Sequence, residues 1–136
     1  MNELEKYLIK NHNTLKACDK YITNGYILVN KEFLENKLIK SYKTQDEDIC
    51  EMAKIPYEKG ELWELPDFVK LRSYGNKYFV YDENYEFDYD FIKMFYSVNR
   101  LLGIQFFIVK HYGAPTIKVF IDGGFAGLFM ACKVKN

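Results

Sequence analysis

Three runs decide the reading of this chain: Ile104-Gln105-Phe106-Phe107-Ile108-Val109, Thr116-Ile117-Lys118-Val119-Phe120-Ile121 and Gly127-Leu128-Phe129-Met130-Ala131-Cys132-Lys133-Val134. Each is rich in the β-branched and aromatic residues that suit a pleated, half-buried surface. His111-Tyr112-Gly113 and Asp122-Gly123-Gly124 separate them, and glycine there supplies the positive φ of tight turns. The segment in front, from Asp88, carries Phe91, Met94, Phe95, Val98, Leu101 and Leu102 at helical spacing. Residues 88–134 therefore read as one helix feeding an antiparallel meander. Burial of Phe91, Phe95, Val98 and Leu102 against Phe106, Ile108, Val119 and Phe129 is the expected core.

A second helix is expected from Asn2 or Glu3 to about Asp19, with Leu4, Tyr7, Leu8, Leu15 and Cys18 on its apolar stripe. Asn11-His12-Asn13 is its weak point, because asparagine prefers caps and turns to helix interiors. Two β-prone runs then flank Asn24-Gly25, a dipeptide suited to a type I′ turn. Asn30 is placed to cap a short helix over 31–40 that presents Phe33, Leu34 and Leu38. Residues 41–66 are the least regular stretch: a short helix around Ile49, Cys50 and Ala53, loops at Pro56, Gly60 and Pro66, and Trp63 as an anchor. Residues 68–72 and 77–81 form a further hairpin around Tyr74-Gly75-Asn76. Residues 3–29 and 88–134 share a helix-then-hairpin rhythm, which suggests a duplicated α-β layout. The expected fold is α+β in a single domain over 1–136, with antiparallel hairpins and a meander and two main helices packed on one face.

Composition narrows the class. At 136 residues, 49% apolar and 18% aromatic, the chain can build a real core and is too apolar for disorder. The apolar runs are too short for a transmembrane helix, and the N-terminus has no basic region followed by a long apolar stretch. Cys18, Cys50 and Cys132 are odd in number, widely spaced and form no C-x-x-C, which reads as thiols in a reducing cytosol. A cytoplasmic protein follows. Net charge is zero but uneven: residues 1–43 hold eight lysines against five acids, 44–91 five basic residues against thirteen acids, and 92–136 six against one.

No motif carries chemistry by itself. The acids from Asp82 to Asp90 fail as an EF-hand loop, because Phe87 stands at the sixth position and Lys93 at the twelfth. They read instead as a half-buried strand entering a helix N-terminus, where acids suit the dipole. His12 and His111 have no ligand-spaced partner, so neither a metal nor another cofactor is expected. Asp122-Gly123-Gly124-Phe125-Ala126-Gly127 lacks the Lys of a phosphate loop and is followed by a strand, so it reads as a hairpin turn. Basic helix faces remain. Lys6, Lys10, Asn13 and Lys20 are expected on one side of the first helix, and Lys93, Ser97 and Arg100 opposite the apolar stripe of the later one. Two such faces side by side suit phosphate contacts that do not read sequence.

Phe87-Asp88-Tyr89-Asp90-Phe91-Ile92-Lys93, the closing run 127–134 and Tyr21-Ile22-Thr23-Asn24-Gly25-Tyr26-Ile27-Leu28-Val29 together resemble one domain of the bacterial DNA sliding clamp, the β-subunit type. Small phage and mobile-element proteins show similar layouts. The resemblance covers about half the chain and rests on pattern; residues 31–66 have no counterpart, and a clamp subunit contains several such domains. It implies a non-enzymatic binding module that contacts DNA or a protein of DNA metabolism and associates into oligomers, with Lys6, Lys10, Lys20, Lys93 and Arg100 in the place of the clamp's channel residues. One alternative is a phage-type inhibitor or sponge for a host protein or small ligand. The other is an enzyme with a site assembled from scattered residues such as His111 and Asp122.

Overall fold

The computed structural model describes residues 2–10, 14–44, 60–65, 69–71, 75–98, 103–111 and 114–134. The chain order is helix α1 (Glu3–Lys10), strands β1 (Lys16–Ala17), β2 (Tyr21–Thr23) and β3 (Ile27–Asn30), a 3-10 turn (Lys31–Phe33) and helix α2 (Lys37–Ser41). Strands β4 (Glu61–Leu62), β5 (Lys70–Leu71), β6 (Lys77–Val80) and β7 (Tyr85–Asp88) then lead to helix α3 (Tyr89–Tyr96). The chain closes with β8 (Ile104–His111), β9 (Ala114–Ile121), β10 (Gly124–Met130) and β11 (Cys132–Lys133). The fold is α+β. A seven-stranded antiparallel sheet has the order β1-β2-β3-β10-β9-β8-β4, and a four-stranded one the order β11-β7-β6-β5.

The large sheet is palindromic across its centre. Strands β1, β2 and β3 follow α1; β8, β9 and β10 follow α3; and the last strand of each set pairs with the other, with Leu28 opposite Leu128. The helix-then-hairpin rhythm of residues 3–29 and 88–134 thus becomes two α-β units joined along β3 and β10. The helices repeat as well. In α1 the buried positions are Leu4, Glu5 and Leu8, and in α3, at the same spacing, Phe91, Ile92 and Phe95.

Both helices cover one face of the large sheet. Strand register puts Val29 beside Gly127, Ile27 beside Phe129, Phe106 beside Val119 and Ile108 beside Ile117, so these side chains share that face. They join Leu4, Leu8, Phe91, Ile92 and Phe95 in one core, which Phe79 and Phe87 of the small sheet complete. Val98 and Ile108 of the expected core pack only at its margin, and Leu102 lies outside the described residues. Trp63 anchors its segment by stacking edge-on against Phe79 and Phe106, with ring centres 5.8 and 6.4 Å away. Phe95 lies nearly parallel to Phe129 at 6.0 Å, directly over Gly127. A Cβ at residue 127 would come within 2.7 Å of the Phe95 ring and would meet the Leu28 carbonyl, so that glycine is what lets α3 settle on the sheet.

Several expectations are corrected. The first helix, described over Glu3–Lys10, does not run to about Asp19: Lys16–Ala17 is a strand paired with β2, so Leu15 and Cys18 do not belong to the helical stripe. Edge pairing to a hairpin outweighs weak helix propensity just past the asparagine cluster, of which residues 11–13 lie outside the described set. The later helix ends at Tyr96, where Ser97 caps it by donating its hydroxyl to the Met94 carbonyl. The Asn24-Gly25 turn is not type I′, since Gly25 has φ +92° but Asn24 has no positive φ. Asn24 instead accepts from the amides of Tyr26 and Ile27, a side-chain turn that lengthens the loop. Among the described residues the two-residue turn with both φ positive is Asp122-Gly123, at +50° and +79°. The helix expected over 31–40 is two short pieces, capped by Asn30 and by Asn36, and Leu38 points to solvent at 82% exposure. The closing run 127–134 divides between the two sheets at Ala131, whose amide donates to the Pro115 carbonyl. Cys18 is disulfide-bonded, against the expectation of reduced thiols, while Cys132 is free. The helix expected around residues 49–53 lies outside the described residues, as do His12 and Arg100.

Candidate functional site

Helices α1 and α3 lie side by side on the sheet, and the Tyr7 and Phe91 rings meet edge-on between them at 5.6 Å. The start of α1 is fixed by a reciprocal cap. Asn2 Oδ1 accepts from the Glu5 amide at 2.8 Å, and Glu5 Oε1 accepts from the Asn2 amide at 3.2 Å. The other carboxylate oxygen of Glu5 reaches across to the amides of Glu35 and Asn36, at 3.2 and 2.6 Å. Glu5 is fully buried, so this carboxylate clamps α1 to the segment before α2 and is structural. At α3 the cap is Asp88, which accepts from the Asp90 amide at 2.8 Å. Burial pushes the Asp88 carboxyl above its ordinary value, and the Asp90 charge adds to that against the helix-cap hydrogen bonds.

This packing leaves Lys6 and Lys10 of α1 and Lys93 of α3 exposed. Lys6 and Lys93 hold equivalent places, each directly after the two adjacent buried residues of its helix. Ile9 and Tyr96, also equivalent, add partly exposed apolar surface at 38% and 43%. Lys6 makes a loose ion pair with Glu3 at 3.4 Å, solvent-exposed at both ends and therefore weak. Asp90 is the exposed acid on α3. The expected set is thus only partly assembled. Lys6, Lys10 and Lys93 lie on the paired helices, Ser97 serves as the cap of α3, and Asn13 and Arg100 lie outside the described residues.

Lys20 is not on a helix at all. It sits at the foot of β2, where its carbonyl accepts the Lys31 amide at 2.8 Å. There it lines a pocket of about 460 Å³ together with Asp19, Tyr21, Asn30, Lys31, Glu32 and Lys40. Sequence reading missed Lys31 and Lys40 because no local spacing joins them to Lys20. The hairpin register would have found the first: Tyr21 opposite Asn30 and Ile22 opposite Val29 put residue 20 against residue 31.

No protein-family model, no curated protein and no solved structure matches this chain. The site must be read from its own geometry. Among the described residues no group of three His, Cys, Asp or Glu side chains is placed to hold a metal ion. Among them, too, no helix is long and apolar enough to cross a membrane. His111 ends β8 opposite Ala114, whereas Asp122 follows β9 at its far end. Eight residues of strand separate the two, roughly 20 Å or more at the rise of an extended chain, so they do not share one site.

Proposed function

We propose that the protein is a non-enzymatic binding module, clamp-like in layout, whose α1–α3 face contacts DNA phosphates or a protein partner of DNA metabolism. The observation that supports this reading is the repeated lysine: Lys6 and Lys93 stand at the same position relative to the buried residues of two adjacent helices, and Lys10 is exposed on the first. Lysines on neighbouring helices can follow a phosphate backbone without reading bases. The two α-β units joined across β3 and β10 set α1 and α3 side by side, which supports the same reading. A ring would need several copies of this chain, and the molar mass in solution reports on that directly.

Cytoplasmic placement belongs to this reading, because a DNA-contacting module must share a compartment with DNA. The disulfide at Cys18 runs against the reducing-cytosol argument, so the placement rests on the helix face and not on the cysteines. The test is binding to a short duplex across a salt series. Three lysine–phosphate contacts predict a slope of log K against log salt of about −3. Charge reversal at Lys10 and Lys93 together should abolish most of the binding and flatten that slope. No binding at low salt overturns the DNA version and leaves a protein partner for the same face.

A further inference from the structure

We propose that the pocket at the foot of the β2–β3 hairpin binds a small phosphate-bearing molecule free in solution, held by Lys31 at its back and by Lys20 and Lys40 at its rim. This goes beyond the helix-face reading and is independent of it. Lys31 begins the 3-10 turn after β3, and Asn30, which caps that turn through the Glu32 amide at 3.0 Å, ties it to the sheet by donating to the Phe125 carbonyl at 2.8 Å. The backbone at Lys31 is fixed a third time by its amide on the Lys20 carbonyl. The site is therefore built on anchored backbone.

The charges favour an anion. Lys31 is only 4% exposed, and its ammonium makes one hydrogen bond, to the Tyr42 carbonyl at 2.7 Å. An ammonium carries three donors, and this is the one bond it makes among the described residues. Asp19, which also lines the pocket, is paired with Lys43 at 2.6 Å. The lining thus holds Lys20, Lys31 and Lys40 against Asp19 and Glu32, with Asp19 shared with Lys43. Among the described residues no carboxylate bonds this ammonium, and its burial, with the charge of Lys43, depresses its basicity while Asp19 offsets this only in part. A bound phosphate would supply a counter-charge and accept from the ammonium. The pocket volume exceeds a single phosphate and suits a larger molecule carrying one. Its position beside a hairpin end, lined from one short stretch of chain, fits a terminal phosphate better than a continuous duplex backbone.

Calorimetric titration of the full chain with sodium pyrophosphate, at fixed ionic strength and without DNA, tests the assignment. Failure of the helix-face reading leaves this measurement untouched. Saturable binding is expected. Lys31→Met, which keeps the aliphatic stem, should weaken it by about tenfold or more, the loss expected for one charge-assisted hydrogen bond. The rim variant Lys20→Gln/Lys40→Gln, at exposed positions that leave folding intact, should weaken it by several-fold. No saturable binding by the wild-type chain, or binding that survives both variants unchanged, overturns the proposal. Displacement of pyrophosphate by a short duplex oligonucleotide overturns the assignment to a free ligand.

Discussion

Asp88 shows how a single residue joins the fold to its solution behaviour. It caps α3 and is partly buried, and burial raises its carboxyl above the ordinary value. A carboxyl raised in the folded state favours the folded, protonated form. Its contribution to stability is present below the unfolded value of about 4 and is lost as pH rises through the folded value. Asparagine caps a helix about as well and does not titrate. The stability of Asp88→Asn relative to wild type should therefore improve as pH rises from acid toward neutrality, as read by urea unfolding at several pH values. A constant difference across that range would contradict the account. Asp88→Ala, which loses the cap, should cost about 1 kcal/mol near neutrality. Glu5 is the opposite kind of carboxylate, fully buried and meeting three backbone amides. Glu5→Ala should destabilise by about 2–4 kcal/mol, because it orphans amides in both α1 and the segment before α2. A urea midpoint within error of wild type would show that the clamp carries no weight.

At the scale of elements, the seating of α3 on the sheet is the contact most exposed to test. Phe95 is 1% exposed and stacks on Phe129, so Phe95→Ala should cost about 3–5 kcal/mol in urea unfolding. Gly127→Ala should also destabilise, by roughly 1–3 kcal/mol, since the new methyl would strike the Phe95 ring and the Leu28 carbonyl. If Gly127→Ala were neutral, the helix would not sit as close to the sheet as described. The meander was legible in sequence because each of its strands is long, apolar and bounded by turn residues, and Phe95, Phe106 and Phe129 fell in the core as their spacing implied. The short elements were not. Strand β1 has two residues and no periodicity of its own, so only its pairing with β2 defines it. The helix expected over 31–40 is broken because Asn36 accepts from the amides of Leu38 and Ile39 and starts a new turn.

For the molecule as a whole, a similar helix-then-strands layout in two places organises the fold and the candidate site. The two α-β units meet along β3 and β10, and each presents a lysine at the same place on its helix. Sequence reading located Lys6, Lys10 and Lys93 correctly on helices, since their spacing against the apolar stripe is local information. It misplaced Lys20, whose surroundings depend on hairpin register, and it did not see the Lys31 pocket for the same reason. The central claim is that the paired helix face is a phosphate-contacting surface. The most direct measurement is the salt dependence of binding to a short duplex, for the wild-type chain and for Lys10→Glu/Lys93→Glu. The account predicts binding at low salt that falls with a slope of about −3 and is largely lost in the double reversal. Wild-type and reversed chains that bind equally, with the same slope, would contradict it.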